Sequence, residues 1–380
     1  MFQNTQSLPH LLPPGAYSCP EQYGREFERL FGPAWHLIAT TAELARDGDF
    51  VTAEILGRPV IVRNFAGELR AFLNVCTHRH AQLTHCRHGN SPKLKCQYHG
   101  WEYKADGSTG YIPDAQSFRP LPGGPELLKP FRVATRGPLV LVCLDDGAPD
   151  LPEHLGTAAT AVCDRFPAER WRHYASWSYD FAVNWKVVVE NTIESYHVPI
   201  VHPHTLVRYG EPEQITHEIY PRSTVMHAPI VVPGIYRRLF NLLMPRLEPD
   251  RNPDRYRLDH VFPNLFLIPI DAMMQVMDVM PTGPESCRLT VRLFILKAAH
   301  ETFVTRRITA FWGWLKKLVI RQVLREDARI YPALHRGLKA SPFRGTISIR
   351  EELIFAFQEY VRREAKGEGG SGKAEGEEAV

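Results

Sequence analysis

The sequence lacks the features that mark several specialised classes of protein. No apolar run reaches the roughly 18 residues that a membrane-spanning helix needs. The formal net charge of +3 is too small to favour nucleic acid as a partner. The first residues, MFQNTQSLPHLLPPGAY, have neither the basic start nor the long apolar stretch of a secretory signal. We therefore predict a cytoplasmic protein without a membrane span or a nucleic-acid partner.

Cysteine is also scarce. The chain has 7 cysteines in 380 residues, an odd number that is spread along the sequence and does not predict a disulfide framework. Three of them fall in one stretch, CTHRHAQLTHCRHGNSPKLKCQYHGWEY (residues 76–103), together with five histidines. In a reducing compartment, clustered cysteine and histidine indicate a metal site rather than disulfides.

The length of the chain favours two domains over a single core. From Trp35 to about Asp146, short β-branched runs (FVTAEILG, RPVIVRNF, LRAFLNV, GPLVLVCL) alternate with turn residues, which predicts a small all-β domain. The second half mixes both periodicities and predicts an α+β domain. We predict helices over residues 182–196 and 300–338, strands over 259–270, 272–280 and 287–297, and a last helix in EELIFAFQEYVRRE.

The first candidate site is a pair of short motifs, Cys76-x-His78 and Cys96-x-x-His99. Two such turns can hold one metal centre from two sides, either a tetrahedral zinc or a Rieske [2Fe–2S] cluster with two cysteines on one iron and two histidines on the other. Zinc fingers usually pair cysteine with cysteine, whereas here each turn supplies one of each. This favours the cluster. The remaining ligand-type residues do not fit the pattern and are interpreted as polar residues of the linking segment: His80, His85, Cys86 and His88.

The second candidate site is NWKVVVENTIESYHVPIVHPHTL, residues 184–206. Two imidazoles and one carboxylate on one face, with other positions open, suit Fe(II) and O2. His197 and His202 are five residues apart and would diverge on an unbroken helix. Pro199 lies between them, and we expect it to break the helix so that both rings reach one metal.

Both sites resemble those of the Rieske-type non-haem iron oxygenases. CTHR and CQYHGW resemble the Rieske loops, residues 184–206 resemble the mononuclear-iron segment, and LREDARIYPALHRGL (residues 324–338) resembles a family segment with an ED pair followed by RGL. The resemblance covers about residues 30–350. It implies a [2Fe–2S] cluster held by Cys76 and Cys96 on one iron and by His78 and His99 on the other, with Trp101 packed beside it.

The resemblance also assigns the second site. It implies mononuclear iron held by His197, His202 and Asp327, with Glu326 as the alternative to Asp327. Glu194 is then not a ligand: in this family the acid at this position bridges the Rieske histidine of a neighbouring subunit to an iron-ligating histidine. Asn191 and Tyr196 are expected near the iron. Glutamate at position 194 resembles the branch that contains the carnitine and glycine-betaine monooxygenases.

The fold implied by the resemblance is α+β. An all-β Rieske [2Fe–2S] domain precedes a helix-grip (START-like) catalytic domain with an antiparallel sheet and a long C-terminal helix. The expected boundaries are 1–34 for an N-terminal extension with a helix, 35–150 for the Rieske domain, 165–365 for the catalytic domain and 366–380 for a disordered tail.

The implied activity is hydroxylation of a small organic substrate by O2, with demethylation as the same chemistry. The sequence shows no dinucleotide-binding glycine fingerprint and no four-cysteine ferredoxin pattern. We therefore expect a separate flavin- or ferredoxin-type reductase to supply electrons from NAD(P)H. The resemblance implies a homotrimer. Aromatic-ring dioxygenation, a large apolar substrate such as a sterol or terpenoid, and a non-catalytic electron carrier or zinc protein stay open as alternatives.

The substrate is expected between the strands of residues 259–297 and the long C-terminal helix, with residues 205–250 as a lid. The Glu194 motif favours a quaternary ammonium, which would require an aromatic cage. Candidates for that cage are Tyr220, Tyr236, Phe240 and Phe266. The apolar lid and four methionines (Met273, Met274, Met277, Met280) instead favour a larger hydrophobic molecule.

Overall fold

The computed structural model describes residues 8–118, 126–206, 214–229, 234–247 and 255–367. The chain forms two compact units. The smaller unit comprises Gly32–His154 and Thr160–His173, and the larger unit comprises the N-terminal segment to Phe31, Leu155–Ala159 and the chain from Tyr174 onward. Most of the expected disordered tail, residues 368–380, lies outside the described residues. None of the described helices is long and apolar enough to cross a membrane.

The N-terminal segment belongs to the larger unit. It contains strand β1 (Leu8–Pro9) and helix α1 (Pro20–Glu26), which continues into a turn of π-helix at Phe27–Phe31. Cys19 caps α1 and Pro20 occupies its first turn, where the missing N–H of proline costs nothing. The helix therefore begins where the sequence changes from extended to helical pattern.

The smaller unit is built from ten short strands: β2 (Trp35–Thr40), β3 (Asp49–Ile55), β4 (Arg58–Phe65), β5 (Glu68–Leu73), β6 (His88–Asn90), β7 (Leu94–Lys95), β8 (Glu102–Tyr103), β9 (Thr109–Tyr111), β10 (Pro130–Arg136) and β11 (Leu139–Cys143). Seven of them form one sheet in the order β2-β11-β10-β5-β4-β3-β6, and β7, β8 and β9 form a second sheet.

The larger sheet of this unit separates two apolar clusters. Along β4, Val60 and Val62 enter one cluster, and Ile61 between them enters the other, as the two-residue repeat of a strand requires. The first cluster is an ordinary core of strand residues. The second contains Cys76 and Cys96. The alternation along β4 thus provides one face for stability and another face for the cysteine loops.

After β11 the chain continues through α2 (Leu151–Asp164), β12 (Trp171–Phe181), α3 (Trp185–Thr192) and α4 (Val198–Val201). The larger unit then adds a meander of antiparallel strands, β13 (Thr216–Tyr220), β14 (Ser223–Pro229), β15 (Arg255–Val261), β16 (Leu265–Ile270), β17 (Met273–Gly283) and β18 (Ser286–Leu296). These strands form a seven-stranded sheet with β12, which lies beside β18.

The remaining elements of the larger unit are mostly helical: α5 (Gly234–Leu243), α6 (Phe303–Ala328), α7 (Tyr331–Ala340), strand β19 (Thr346–Ile347), which pairs with β1, and α8 (Glu352–Lys366). Thr302 caps α6 through a reciprocal capping box with Thr305. The predicted α+β class, with a long helix against an antiparallel sheet, is confirmed.

Several predicted elements differ from the structure. The helix expected over residues 182–196 is only α3, and the helix expected over 300–338 is divided into α6 and α7. Pro332, in the first turn of α7, marks this division. Strands β12, β13 and β14 were not predicted. The side chains of β13 are mostly intermediate in exposure, those of β14 are mostly buried, and β12 alternates between intermediate and exposed side chains only in its second half. The lid segment 205–250 contains β13, β14 and α5, and its residues 207–213, 230–233 and 248–250 lie outside the described residues.

Candidate metal centres and substrate cavity

Two loops of the smaller unit present the cysteine–histidine motifs with the same backbone pattern. In each loop the cysteine N–H donates to the carbonyl five residues later, at 2.8 Å from both Cys76 and Cys96. The N–H four residues after each cysteine donates back, from His80 at 3.1 Å and from Gly100 at 3.0 Å. Both of these residues have positive φ, +60° and +75°. His80 therefore occupies a left-handed turn position that glycine fills in the second loop.

The side chains of the two loops converge. Cys76 and Cys96 are each 2% exposed. The rings of His78 and His99 lie 4.7 Å apart between centroids, and His78 stacks in parallel on Trp101 at 4.8 Å. Among the described residues, nothing forms a hydrogen bond with the buried Nδ1 atom of His78. Two buried thiols, two adjacent imidazoles and an orphaned ring nitrogen fit a [2Fe–2S] cluster with mixed ligands.

Tyr103, which sequence reasoning did not single out, contacts the first cysteine. Its hydroxyl lies 3.0 Å from the Cys76 sulfur and accepts a 3.1 Å hydrogen bond from the Thr77 N–H. The Thr77 hydroxyl also lies 3.1 Å from the phenolic oxygen. When the Thr77 hydroxyl donates to that oxygen, the phenolic O–H donates to a Cys76 thiolate. Burial, followed by the contact with Cys76, raises the pKa of Tyr103, so the phenol stays protonated. Its place two residues after Trp101, pointing to the same side of a short strand, was the available signal.

A buried polar network of the larger unit positions α3. Asn184 caps the helix by accepting from the Lys186 N–H at 3.0 Å. The Lys186 ammonium lies 2.7 and 2.8 Å from the carboxylate oxygens of Glu26, and both side chains are fully buried. Trp185 donates to the same carboxylate at 2.9 Å. These contacts fix α3 to the N-terminal segment. Helix α3 comes shortly before the candidate iron ligands in the chain.

His197 and His202 flank the one-turn helix α4, as its N-cap and C-cap residues. Their ring centroids lie 5.4 Å apart. The expectation that Pro199 breaks a helix between them was wrong. The preceding helix has already ended at Thr192, and Pro199 lies in the first turn of α4, where its missing N–H is tolerated. The new turn of helix, rather than a distorted one, brings both rings together.

Asp327 on α6 completes a group of three metal-ligand side chains. Its Oδ1 atom lies 3.0 Å from His202 Nε2 and 3.5 Å from His197 Nε2. One donor atom from each of the three residues falls within 4.8 Å of the others. The Oδ1 atom is buried and makes no aligned hydrogen bond within the described part of the chain. Close donor atoms that face one another without hydrogen bonding fit a cation held between them.

A carboxylate on the outer side of each histidine fixes its ring. Glu194 accepts a hydrogen bond from His197 Nδ1 and from the backbone N–H of Tyr196. Glu326 accepts from His202 Nδ1 at 2.7 Å and from Thr205 Oγ1 at 2.7 Å. In each case the bonded Nδ1 leaves Nε2 as the nitrogen that faces the common point. Glu326 therefore lies behind His202 and is not part of the group of three.

A cavity of about 370 Å³ lies beside this group, between the sheet and α6. Its wall is mainly apolar and includes Met226, Ile268, Met273, Met277 and Ile320. Of the four methionines singled out in the sequence, Met273 and Met277 line the cavity. The lining residues at positions 273, 275 and 277 of β17 alternate, and Met274 and Met280 are not among them.

Of the two other residues expected near the iron, Asn191 lines the cavity and Tyr196 does not. The side chain of Asn191 is 3.5 Å from the Tyr331 hydroxyl. Burial and the Asp327 charge raise the pKa of Tyr331 well above its usual value. Tyr196 is 58% exposed and lies under the Arg350 guanidinium, outside the cavity lining.

Only one of the four expected cage aromatics lines the cavity, namely Tyr236. Tyr220 donates to Glu218 on strand β13, and Phe266 stacks on His260. Phe240 is buried and packs against Trp312. No aromatic cage surrounds the cavity within the described residues.

Comparison with known proteins decides the family. The pattern described as "Ring hydroxylating alpha subunit (catalytic domain)" matches residues 168–367, more than half of the chain. The pattern described as "Rieske [2Fe-2S] domain" matches residues 34–131. The chain belongs to the ring-hydroxylating alpha subunits. This alpha subunit is accordingly an oxidoreductase of the Rieske oxygenase type, and the predicted enzyme class and the predicted cluster and iron cofactors are confirmed.

This alpha subunit is similar to both monooxygenases and dioxygenases. It is 27% identical over 355 residues to the chloroplastic choline monooxygenase of Spinacia oleracea, covering 88% of this chain and 73% of the relative. It is 35% identical over 190 residues to the anthranilate 1,2-dioxygenase large subunit of Acinetobacter baylyi, covering 48% and 40%. A solved quaternary ammonium Rieske monooxygenase has the same fold, with a TM-score of 0.76 at 20% identity over 95% of this chain and all of that one.

Proposed function

We propose that this chain is the terminal oxygenase of a system that mono-oxygenates a small organic substrate. The observation that carries the proposal is the group formed by His197, His202 and Asp327 at the wall of an apolar cavity. Two imidazoles and one carboxylate are the ligand set of O2-using non-haem iron sites. Two cysteine–histidine loops in the same chain provide a separate site for an electron-storing cluster.

The roles of the individual residues follow from this proposal. Cys76, Cys96, His78 and His99 would hold the cluster, and the group of three would hold Fe(II). When bound, the two groups supply single-electron storage and activation of O2. Overall, the substrate C–H, O2, two electrons and two protons give an alcohol and water. Where the hydroxylated carbon bears nitrogen or oxygen, the product collapses to an aldehyde and an amine or alcohol. The net result is dealkylation, which is demethylation when the aldehyde is formaldehyde.

The side chains around the iron site serve orientation and exclusion of water. Glu194 and Glu326 hold the two imidazoles by their Nδ1 atoms, which keeps the Nε2 lone pairs aimed at one point. Asn191 places an amide at the cavity wall, where it can hydrogen-bond to the substrate or to the hydroxyl group of the product. The largely apolar wall keeps water away from that point, which protects reactive species from side reactions.

Two observations bear on the kind of oxygenation. Glutamate at position 194 and the similarity to choline monooxygenase along most of the chain favour mono-oxygenation. The higher identity to anthranilate 1,2-dioxygenase over half of the chain keeps ring dioxygenation as the second candidate.

We also propose the partners and assembly that the sequence predicted. The electron donor is a separate reductase that oxidises NAD(P)H, and the oxygenase is a cytoplasmic homotrimer in which Glu194 bridges to the cluster histidine of a neighbouring subunit. The structure of a relative is described as revealing inter-subunit electron transfer, which supports this assembly.

The test is oxygen incorporation. The chemically reduced protein is mixed with ¹⁸O2 and one compound from each candidate class: a trimethylammonium compound, an aromatic acid and a sterol. Mono-oxygenation predicts one labelled oxygen in the product of at least one of them. Two labelled oxygens in a cis-diol would support the dioxygenase alternative. In a dealkylation the label leaves with the aldehyde, which is trapped and analysed before it exchanges oxygen with water. A hydroxylated product or a trapped aldehyde without label would contradict both.

A further inference from the structure

The cavity has a polar group at the opposite end from the iron ligands. One face of α6 lines it with residues spaced three and one apart: Leu315, Lys316, Val319, Ile320, Val323, Leu324 and Asp327. Lys316 and Asp327 stand at the two ends of this face. Eleven residues of helix separate their Cα atoms by about 16 Å along the axis. The helix therefore fixes both the metal ligand and a lysine along one elongated, apolar wall.

Lys316 is held in a compact cluster with two other cavity residues. Its ammonium pairs with the Asp271 carboxylate, and the Tyr236 hydroxyl donates to the same carboxylate oxygen. Asp271 is at the turn between β16 and β17, in the left-handed region at φ +52°. The Lys316 ammonium also lies 4.8 Å from the centre of the Tyr236 ring. All three side chains line the cavity.

This cluster is unsuited to a quaternary ammonium. Such a ligand needs open aromatic faces around it. The described lining residues contain two aromatic side chains, Tyr236 and Tyr256, and the first already carries the Lys316 cation on its ring. Because Lys316 and Asp271 already balance each other, a second cation at this end would leave a buried net positive charge. The relatives whose names mention choline or quaternary ammonium therefore do not indicate the substrate of this cavity.

The same cluster is suited to a neutral oxygen. An ammonium has three N–H donors. Asp271 accepts from one of them, and the rings of Tyr236 and Trp312, with centres 4.8 and 5.6 Å from the nitrogen, contact the charge without accepting a conventional hydrogen bond. The charge of Lys316 is already balanced by Asp271, so an added carboxylate would leave a buried net negative charge. A hydroxyl or carbonyl oxygen of the substrate can accept a hydrogen bond from a remaining N–H group of Lys316 without leaving a buried net charge. The rest of the wall is apolar and accommodates a hydrocarbon body.

We propose that Lys316 selects the substrate: an elongated, mainly hydrocarbon molecule with a neutral hydroxyl or carbonyl oxygen at the end remote from the iron. This inference rests on the proposed function, since it names the substrate class of the same cavity. Two lining residues near the lysine, Ile235 and Val319, are 74% and 39% exposed. When the oxygen atom of the substrate is hydrogen-bonded to Lys316, the opposite end of the substrate lies at His197, His202 and Asp327.

The test measures binding to the iron-loaded protein by equilibrium dialysis with five probes of one skeleton. The probes are biphenyl and its 4-hydroxy, 4-acetyl, 4-carboxylate and 4-trimethylammonio derivatives. The hydroxy and acetyl probes are expected to bind at least about tenfold more tightly than biphenyl, as one hydrogen bond to a charged donor provides. The trimethylammonio probe is expected to bind more weakly than biphenyl.

Two variants separate recognition from folding. Lys316→Met combined with Asp271→Asn removes both charges together, so no unpaired charge is left buried, and the preference for the oxygen-bearing probes should disappear. Lys317→Met is the matched control, because Lys317 is the next residue on α6 and does not line the cavity. It should retain the preference.

Three results would overturn the inference: no tighter binding of the hydroxy and acetyl probes, tightest binding of the trimethylammonio probe, or an unchanged preference in the double variant. The proposed function is tested separately by ¹⁸O in the product. A retained binding order with no labelled product would support the cavity inference and contradict the oxygenase proposal.

Discussion

The variants Asp327→Asn and Glu326→Gln test which of the two acids binds the mononuclear iron. We predict that Asp327 is the ligand and that Glu326 only orients the ligand His202. The two acids are adjacent on α6, where successive residues point about 100° apart. The Asp327 Oδ1 atom faces both Nε2 atoms, at 3.0 and 3.5 Å, whereas Glu326 accepts from His202 Nδ1 at 2.7 Å. The first substitution therefore removes a charged ligand. The second keeps an acceptor for the imidazole and removes only its charge.

The expected losses differ in size. Loss of a group that orients a metal-bound histidine typically lowers metal affinity by about 10- to 100-fold. Glu326→Gln should thus weaken Fe(II) binding within that range and regain iron when Fe(II) is in excess. Asp327→Asn should lose the mononuclear iron under the same conditions, because it removes one of three ligands and the negative charge that balances Fe(II).

The assay is titration of Fe(II) into protein stripped of mononuclear iron, with the visible absorption of the cluster as the control for folding. Both variants should retain that absorption. The reasoning would be refuted if Glu326→Gln bound iron more weakly than Asp327→Asn, since Glu326 would then be the ligand.

Three further predictions concern the supporting structure. Tyr103→Phe removes a hydrogen-bond donor to the Cys76 sulfur, which should destabilise the reduced cluster relative to the oxidised one by about 1 kcal/mol. This corresponds to a reduction potential that is lower by about 40 mV for one electron, measured by redox titration. Lys186→Met leaves Glu26 charged and unpaired in the core and should lower the free energy of unfolding by about 3–5 kcal/mol, measured by denaturant titration. Burial lowers the pKa of His260 to about 3. Below about pH 6.5 this histidine is protonated in the unfolded chain but not in the folded protein. The free energy of unfolding therefore decreases as the pH is lowered, by up to about 1.4 kcal/mol per pH unit. His260→Leu should make that fall shallower between about pH 6.5 and 5.

Each of these has a contrary outcome. An unchanged potential in the Tyr103 variant would mean that the phenol does not donate to the sulfur. Equal unfolding free energies for Lys186→Met and the wild type would contradict the claim that the variant leaves Glu26 charged and unpaired in the core. An equal pH slope in the His260 variant would mean that the histidine is protonated in the folded protein.

Much of the architecture was predictable because the relevant signals are local. The β-branched runs of the smaller unit alternate as strands do, and the spacing of Cys76, His78, Cys96 and His99 is short enough to define a loop by itself. Strands β17 and β18 were predicted close to their observed positions, and the two-residue repeat of apolar side chains is clear in β18. The single strand expected over 259–270 is divided into β15 and β16.

The parts that could not be predicted depend on distant residues. Glu326 and Asp327 are equivalent in sequence, and only the position of α6 against His202 assigns them different neighbours. Lys316 belongs to a basic segment of α6 that is easily interpreted as a solvated face. Its burial depends on Asp271, which lies 45 positions earlier in the chain. Strand β12 was missed although a local signal was present, since Trp177, Tyr179 and Phe181 alternate with the exposed Ser178 and Asp180.

The most direct test of the central claim is the rate at which O2 oxidises the reduced cluster in the wild type and in His197→Ala. Both proteins are reduced chemically, matched for cluster absorption and mixed with O2, alone and with the trimethylammonium compound, the aromatic acid, the sterol and 4-acetylbiphenyl. The account predicts that at least one compound accelerates oxidation in the wild type and that none does so in the variant. Equal rates in the two proteins under every condition would contradict it, because the cluster would then react with O2 without the mononuclear site.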